Sequence, residues 1–135
     1  MNPAEISRHL SSCGIRPSPQ RSAVYGYLCK YRNHPTAETI FRALSPDFPT
    51  LSRTTVYNTL KLFVERHAVQ AVLIEDGELR FDADTTVHGH FKCECCGRIY
   101  DFPLPDPSIL PTAGEGFQVE KRHLYYLGIC KDCGK

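Results

Sequence analysis

The 135-residue chain contains no apolar run near the length that a membrane-spanning helix requires, about 20 residues. Its opening stretch, MNPAEISRHLSSCG, lacks the apolar core of a secretory leader. It has almost no net charge either, +1 at neutral pH. A membrane span and export are therefore not expected, and the expected location is the cytoplasm. There disulfides are rare, so metal binding becomes the better first reading of seven cysteines. With 41% hydrophobic and 23% charged residues the composition is that of a globular protein, with room for one compact domain or two small ones.

The small net charge conceals an asymmetry. Residues 1–66 carry nine Lys and Arg against four Asp and Glu, a balance of +5, so the remainder carries −4. A basic first half joined to an acidic half rich in Cys and His points to two separate jobs. The first half reads as helices. One follows Pro3. In RPSPQR, Ser18 can cap a helix whose first turn holds Pro19. Ala23, Val24, Tyr27, Leu28 and Tyr31 recur at helical spacing, up to the stop at NHP, residues 33–35. Thr36 caps a third helix with Ile40, Phe41 and Leu44 on one face. Ser52 caps a fourth, SRTTVYNTLKLFVER, with Val56, Leu60 and Phe63 or Val64 as its buried stripe. VQAVLI and ELRFDA around EDG form a hairpin signal. Helices followed by a hairpin give the order of a winged helix-turn-helix. The second half reads as strands over HGHFKCE, GRIYDF and FQVEKRHLYYLGIC. The proline-rich stretch between the last two leaves a turn or two of helix near 107–110. The expected fold is α+β: a winged-helix domain over residues 1–83 and a small α/β domain over 84–135.

One repeat stands out. Cys93-Glu-Cys-Cys96-Gly recurs in form as Cys130-Lys-Asp-Cys133-Gly. A C-x-x-C-G knuckle aims two thiolates at one ion, and the glycine lets backbone amides turn toward sulfur. Two knuckles complete a closed, tetrahedral, four-cysteine zinc site of the structural kind, a reasonable staple for a small, helix-poor domain. A redox C-x-x-C pair would precede a helix in a βαβ unit, and neither knuckle does. Cys95 falls between ligands without a role. Cys13 and Cys29 sit in helical patterns and read as small buried hydrophobes.

His88 and His90 share one face of a strand. The four-cysteine site is already full, so any metal on these histidines needs other donors: Asp82, Asp84 and Asp101 nearby in the chain, or His34 at a helix end. Nitrogen and oxygen donors without thiolate suit an exchangeable first-row ion such as Fe(II) or Mn(II). A solvated histidine pair on an edge strand is the competing reading.

The motifs SPQRSAVYGYL, HPTAETIF, SRTTVYNTLKLFVE, RFD, HGHFKCECCGRIYDF and GICKDCG occur in the order found in repressors of the ferric uptake regulator family. The resemblance extends over about residues 10–134. It implies a homodimer with an N-terminal DNA-binding winged helix and a C-terminal dimerisation domain. It places structural Zn2+ on Cys93, Cys96, Cys130 and Cys133, and a regulatory Fe2+ or Mn2+ on His34, Asp82, His88, His90 and Asp101. Aspartate at both 82 and 101 resembles the peroxide-sensing members. Iron-sensing members usually carry Glu at one or both positions, and an iron-availability repressor is the alternative function. Val87 and Gly89 stand where iron sensors often have further histidines, and His123 lies one place from their third-site histidine, so no third site is expected. His67 stands where a glycine commonly ends the recognition helix, and residues 103–116 are shorter and richer in proline than the family's usual helix.

The resemblance further implies double-stranded DNA, an A/T-rich palindrome, as partner. Arg53, Thr54, Thr55, Tyr57 and Asn58 lie near the N-terminal end of the recognition helix. Tyr57 suits thymine methyls and Asn58 suits adenine, while Arg16 and Arg21 suit phosphate or the minor groove. In peroxide sensors a ligand histidine is oxidised and repression lifts, which nominates His34 and His88. No catalytic turnover is expected.

Overall fold

The computed structural model describes residues 1–73, 78–86, 88–104, 106–120 and 122–134. They divide into two compact units, Met1–Thr85 and Thr86–Lys135.

The first unit contains helices α1 (Pro3–Ser12), α2 (Pro19–Lys30), α3 (Ala37–Leu44) and α4 (Arg53–Glu65), then strands β1 (Gln70–Val72) and β2 (Arg80–Asp82). Each helix starts where a side-chain oxygen accepts an orphan backbone N–H: Asn2 from Glu5, Ser18 from Arg21, Thr36 from Thr39 and Ser52 from Thr55. The buried stripe of α4 is Val56, Thr59, Leu60 and Phe63, as its periodicity requires. These side chains join Ile6, Leu10, Ile15, Val24, Tyr25, Leu28, Ile40 and Leu51 in one hydrocarbon core, which Ala68, Val69 and Phe81 close from the sheet side. Burying one such side chain fully contributes about 1.5–3 kcal/mol.

Some details differ from the sequence pattern. Helix α2 ends at Lys30, before the proline, and Tyr25 is buried where Tyr31 is 45% exposed. Tyr27 and Tyr31 instead pack on each other at 4.8 Å between ring centroids. His67 follows α4 with φ +60, the left-handed backbone usual for glycine. Cys13 and Cys29 are half-buried and packed against the core rather than inside it. The antiparallel β1–β2 pair matches Gln70 with Asp82 and Val72 with Arg80. The EDG turn expected between these strands lies outside the described residues. Together these elements form a winged helix.

The second unit is a three-stranded sheet in the order β4-β3-β5, from β3 (His88–Cys93), β4 (Ile99–Pro103) and β5 (Leu124–Gly128), with a short 3-10 turn at Pro107–Ile109. β4 runs antiparallel to β3, and β5 runs parallel to it. The last strand is five residues long, not the fourteen of the stretch FQVEKRHLYYLGIC that contains it. Five residues of β5 find partners on β3, from Leu124 opposite Gly89 to Gly128 opposite Cys93, which limits the ladder. No described helix is long and apolar enough to cross a membrane.

Candidate metal centres and recognition helix

β3 ends in the first cysteine knuckle, and β5 runs into the second. Because the two strands are parallel and Cys93 pairs with Gly128, both knuckles emerge at the same end of the sheet. Each closes with the same bond, Gly97 N–H to the Cys93 carbonyl and Gly134 N–H to the Cys130 carbonyl, both at 2.9 Å. Gly97 has φ +76, a backbone that glycine adopts without strain.

The Sγ atoms of Cys93, Cys96, Cys130 and Cys133 lie within 4.8 Å of one another, and Cys96 and Cys130 are 3.9 Å apart. A tetrahedral ion with Zn–S bonds of about 2.3 Å sets its sulfurs about 3.8 Å apart, so the four thiols fit zinc. The backbone N–H groups of Cys96 and Cys130 each reach Cys93 Sγ at 3.4 Å and hold its thiol down to about 6. The adjacent Cys130 thiol, followed by that of Cys95, pushes Cys133 up. Four sulfurs this close cannot all be thiolates without a cation among them. Cys95 itself is exposed.

The histidine and aspartate candidates fall in both units. In the second, the two-residue period of β3 places His88 and His90 on one face, with ring centroids 4.5 Å apart. Asp101 stands directly opposite His90 in the antiparallel ladder. Its Oδ1 lies 3.3 Å from His90 Nε2 and 3.5 Å from His88 Nε2. His90 is 2% exposed. The Nδ1 of His88 lies 2.8 Å from the Thr86 carbonyl, so Nε2 is the ring nitrogen turned to Asp101.

In the first unit His34 and Asp82 are both buried, with Nε2 and Oδ2 3.4 Å apart. Three contacts bring them together: a bridge between Thr36 and Arg80, the Phe81 N–H bonded to the Pro35 carbonyl at 3.0 Å, and Arg80 donating to the His34 carbonyl. His34 has φ +53, a strained backbone for histidine. Asp84 donates its backbone N–H to Asp82 Oδ1 at 2.9 Å, so it orients Asp82 through the main chain. Imidazole and carboxylate donors with no thiolate suit Fe(II) or Mn(II).

Gly89 acquires a steric reason beyond the lack of a donor. A Cβ there would sit 2.0 Å from the Phe102 ring, which lies across the strand and stacks on Tyr126 at 5.1 Å. His123 makes a 3.1 Å contact with the Tyr125 hydroxyl. Val87 is outside the described residues.

On α4, Tyr57 is 54% exposed, and Thr54 and Asn58 are exposed beside it. Thr55 is half-buried, with its hydroxyl 2.9 Å from Ser52 Oγ. Arg16 is exposed, and its carbonyl accepts from Arg21 Nη1 at 2.8 Å. Arg53 is held by Glu38 of α3 at 2.9 Å. Glu38 gives no sequence signal beyond its helical pairing with Arg42, because its partner Arg53 lies 15 residues away.

A model of the ferric uptake regulator family matches residues 12–110. The chain is 39% identical over 127 residues to the peroxide-responsive repressor PerR of Staphylococcus aureus, covering 92% of this chain and 86% of that protein. Among solved structures, PerR from Streptococcus pyogenes is 30% identical and superposes with a TM-score of 0.55, covering 97% of this chain and 92% of that one. The ferric uptake regulator of Helicobacter pylori, 20% identical, shares the fold at a TM-score of 0.74, covering 100% of this chain and 95% of that one. The protein is a member of the ferric uptake regulator family.

Proposed function

We propose that this chain is a metal-dependent, DNA-binding transcriptional repressor that responds to peroxide through oxidation of His34 or His88. One observation carries the reading. The chain is 39% identical to a peroxide-responsive repressor, and both carboxylates at its candidate sensing site are the short Asp82 and Asp101. As a regulator of this family it is not an enzyme.

In this reading Cys93, Cys96, Cys130 and Cys133 hold structural zinc. His34, Asp82, His88, His90 and Asp101 are the ligands this reading assigns to exchangeable Fe(II) or Mn(II). Metal favours the DNA-binding state only by the difference between its affinities for the two states. Fe(II) held by these residues would supply the redox chemistry that activates peroxide. Overall, a ring C–H of His34 or His88 and one H2O2 would become C–OH and water, the two electrons that reduce the peroxide coming from the C–H bond. The oxidised ring is a poorer donor, so affinity for the exchangeable metal falls and repression lifts.

The exposed hydrophobics of the second unit, among them Phe117, Tyr126, Leu127 and Ile129, support a homodimer through this unit. Two winged helices would then meet two half-sites of an A/T-rich palindrome. Arg16, Arg21, Thr54, Thr55, Tyr57 and Asn58, with Arg53, form the DNA-facing set.

The test is mass spectrometry after a low dose of peroxide. The Fe(II)-loaded protein should gain one oxygen atom on the peptide holding His34 or His88 and lose its DNA footprint. The Mn(II)-loaded protein should keep both unchanged. Fe(II) protein that gains no oxygen and still binds DNA would sink the peroxide reading and favour the iron-availability repressor.

A further inference from the structure

Arg53 is the first residue of α4, where a cation opposes the positive end of the helix dipole. The chain places a carboxylate against it. Arg53 Nε donates to Glu38 Oε2 at 2.9 Å, and Arg53 Nη2 donates to Glu38 Oε1 at 3.1 Å. The guanidinium also lies over the Phe41 ring, 4.5 Å from its centroid. Glu38 is itself anchored by Arg42 Nε at 3.0 Å. The hydrogen bond from Arg53, followed by that from Arg42, holds the Glu38 carboxyl below its usual range, so it is charged at neutral pH.

An isolated exposed ion pair would contribute little. This one is two-pronged, doubly bonded and stacked, and its geometry is informative. Glu38 occupies the side of the guanidinium made by Nε and Nη2. The end made by Nη1 and the second Nη2 hydrogen still carries open donors, and the side chain is 65% exposed. That end is the fork that grips O6 and N7 of a guanine in the major groove. A side chain already fixed by a carboxylate and an aromatic ring loses little rotamer freedom when it binds.

We propose that Arg53 reads a guanine in each half-site, and that Glu38 is the positioning residue that aims it. This rests on the DNA-binding reading above and adds a specificity determinant to it. Arg53 thereby differs from Arg16 and Arg21, whose expected contacts are with the backbone.

The experiment uses the full chain, loaded with Zn(II) and Mn(II), to select from a pool of duplexes with a randomised centre. The bound fraction is then sequenced. Wild type should prefer G·C at one position of each half-site by roughly 5- to 100-fold. Arg53→Ala should erase that preference and leave the other positions unchanged. Arg53→Lys should not restore it, because an ammonium lacks the fork. Glu38→Gln should flatten the same position, while affinity for random-sequence duplex does not fall, since a negative charge near the phosphates has been removed. Uniform weakening by Arg53→Ala across all sequences would mark a phosphate contact and overturn the proposal. So would a Glu38→Gln profile identical to wild type. If wild type enriches no sequence at all, the DNA-binding reading fails with it; enrichment without an Arg53-dependent position defeats this inference alone.

Discussion

The two units of the chain reach order by different means. Met1–Thr85 buries a continuous cluster of Ile, Leu, Val, Phe and Tyr side chains drawn from all four helices and the β1–β2 sheet. In Thr86–Lys135 the buried described residues are Gly89, His90, Lys92, Cys93 and Cys130, none of them a large hydrocarbon side chain. The first unit is organised by the hydrophobic effect, which is non-directional and tolerant of repacking. The second is organised by donors that point at ions, which is directional and all-or-none. Within this unit the thiolate donors are one set and the imidazole and carboxylate donors another, so two ions of different chemistry can be told apart.

The largest break in this comparison is removal of the sulfur-bound ion. Stripping zinc with a strong chelator, or Cys130→Ser, should unfold the sheet unit, since a structural zinc supplies apparent folding free energy of about 10–16 kcal/mol. Hydrogen exchange should show lost protection in β3, β4 and β5 with α1–α4 still protected. Protected β3 amides in the metal-free protein would refute the assignment. Next is the reverse experiment. Phe63→Ala removes a fully buried ring and should cost about 3–5 kcal/mol in thermal unfolding of the helical unit, with zinc content unchanged.

Smaller in energy, and specific to the histidine and aspartate donors, is His90→Ala. It should weaken Mn(II) binding by at least roughly 10–100-fold in calorimetry and leave zinc bound, because imidazole and thiolate donors serve different ions. The smallest is Gly89→Ala. Its new Cβ would strike the Phe102 ring, which is the movable end of a side chain, so the expected loss is about 1–3 kcal/mol. Combining it with Phe102→Ala should recover part of that loss; strict additivity of the two changes would show that the clash is not the cause.

Legibility in the sequence divides along similar lines. The caps Ser18, Thr36 and Ser52 and the stripe Val56, Leu60 and Phe63 are readable because each depends on neighbours within one or two helical turns. The knuckles are readable for the same reason, since thiolate spacing is a local property. Less readable is whatever requires a partner strand. The stretch ending at Cys130 looks uniformly strand-like, but only the five residues that find bonds on β3 become β5. The burial of Tyr25 over Tyr31 depends on where Phe63 and His9 lie, and both are remote in sequence. Gly89 reads as a missing ligand until Phe102 supplies a steric reason. Glu38 is invisible as a partner of Arg53 because the pairing joins two helices.

The parallel alignment of β3 with β5 also bears on how the protein folds. A parallel neighbour cannot be reached by a tight turn, so the chain must travel from Cys96 to Cys130 before the second knuckle meets the first. Closing a loop of that length costs conformational entropy before any bond rewards it, and such long-range closure is slow. An ion captured early has only two sulfurs to hold it. The sheet unit should therefore be the late folder, its rate set by zinc concentration and by the search of one knuckle for the other, while the helical unit forms quickly from its local contacts.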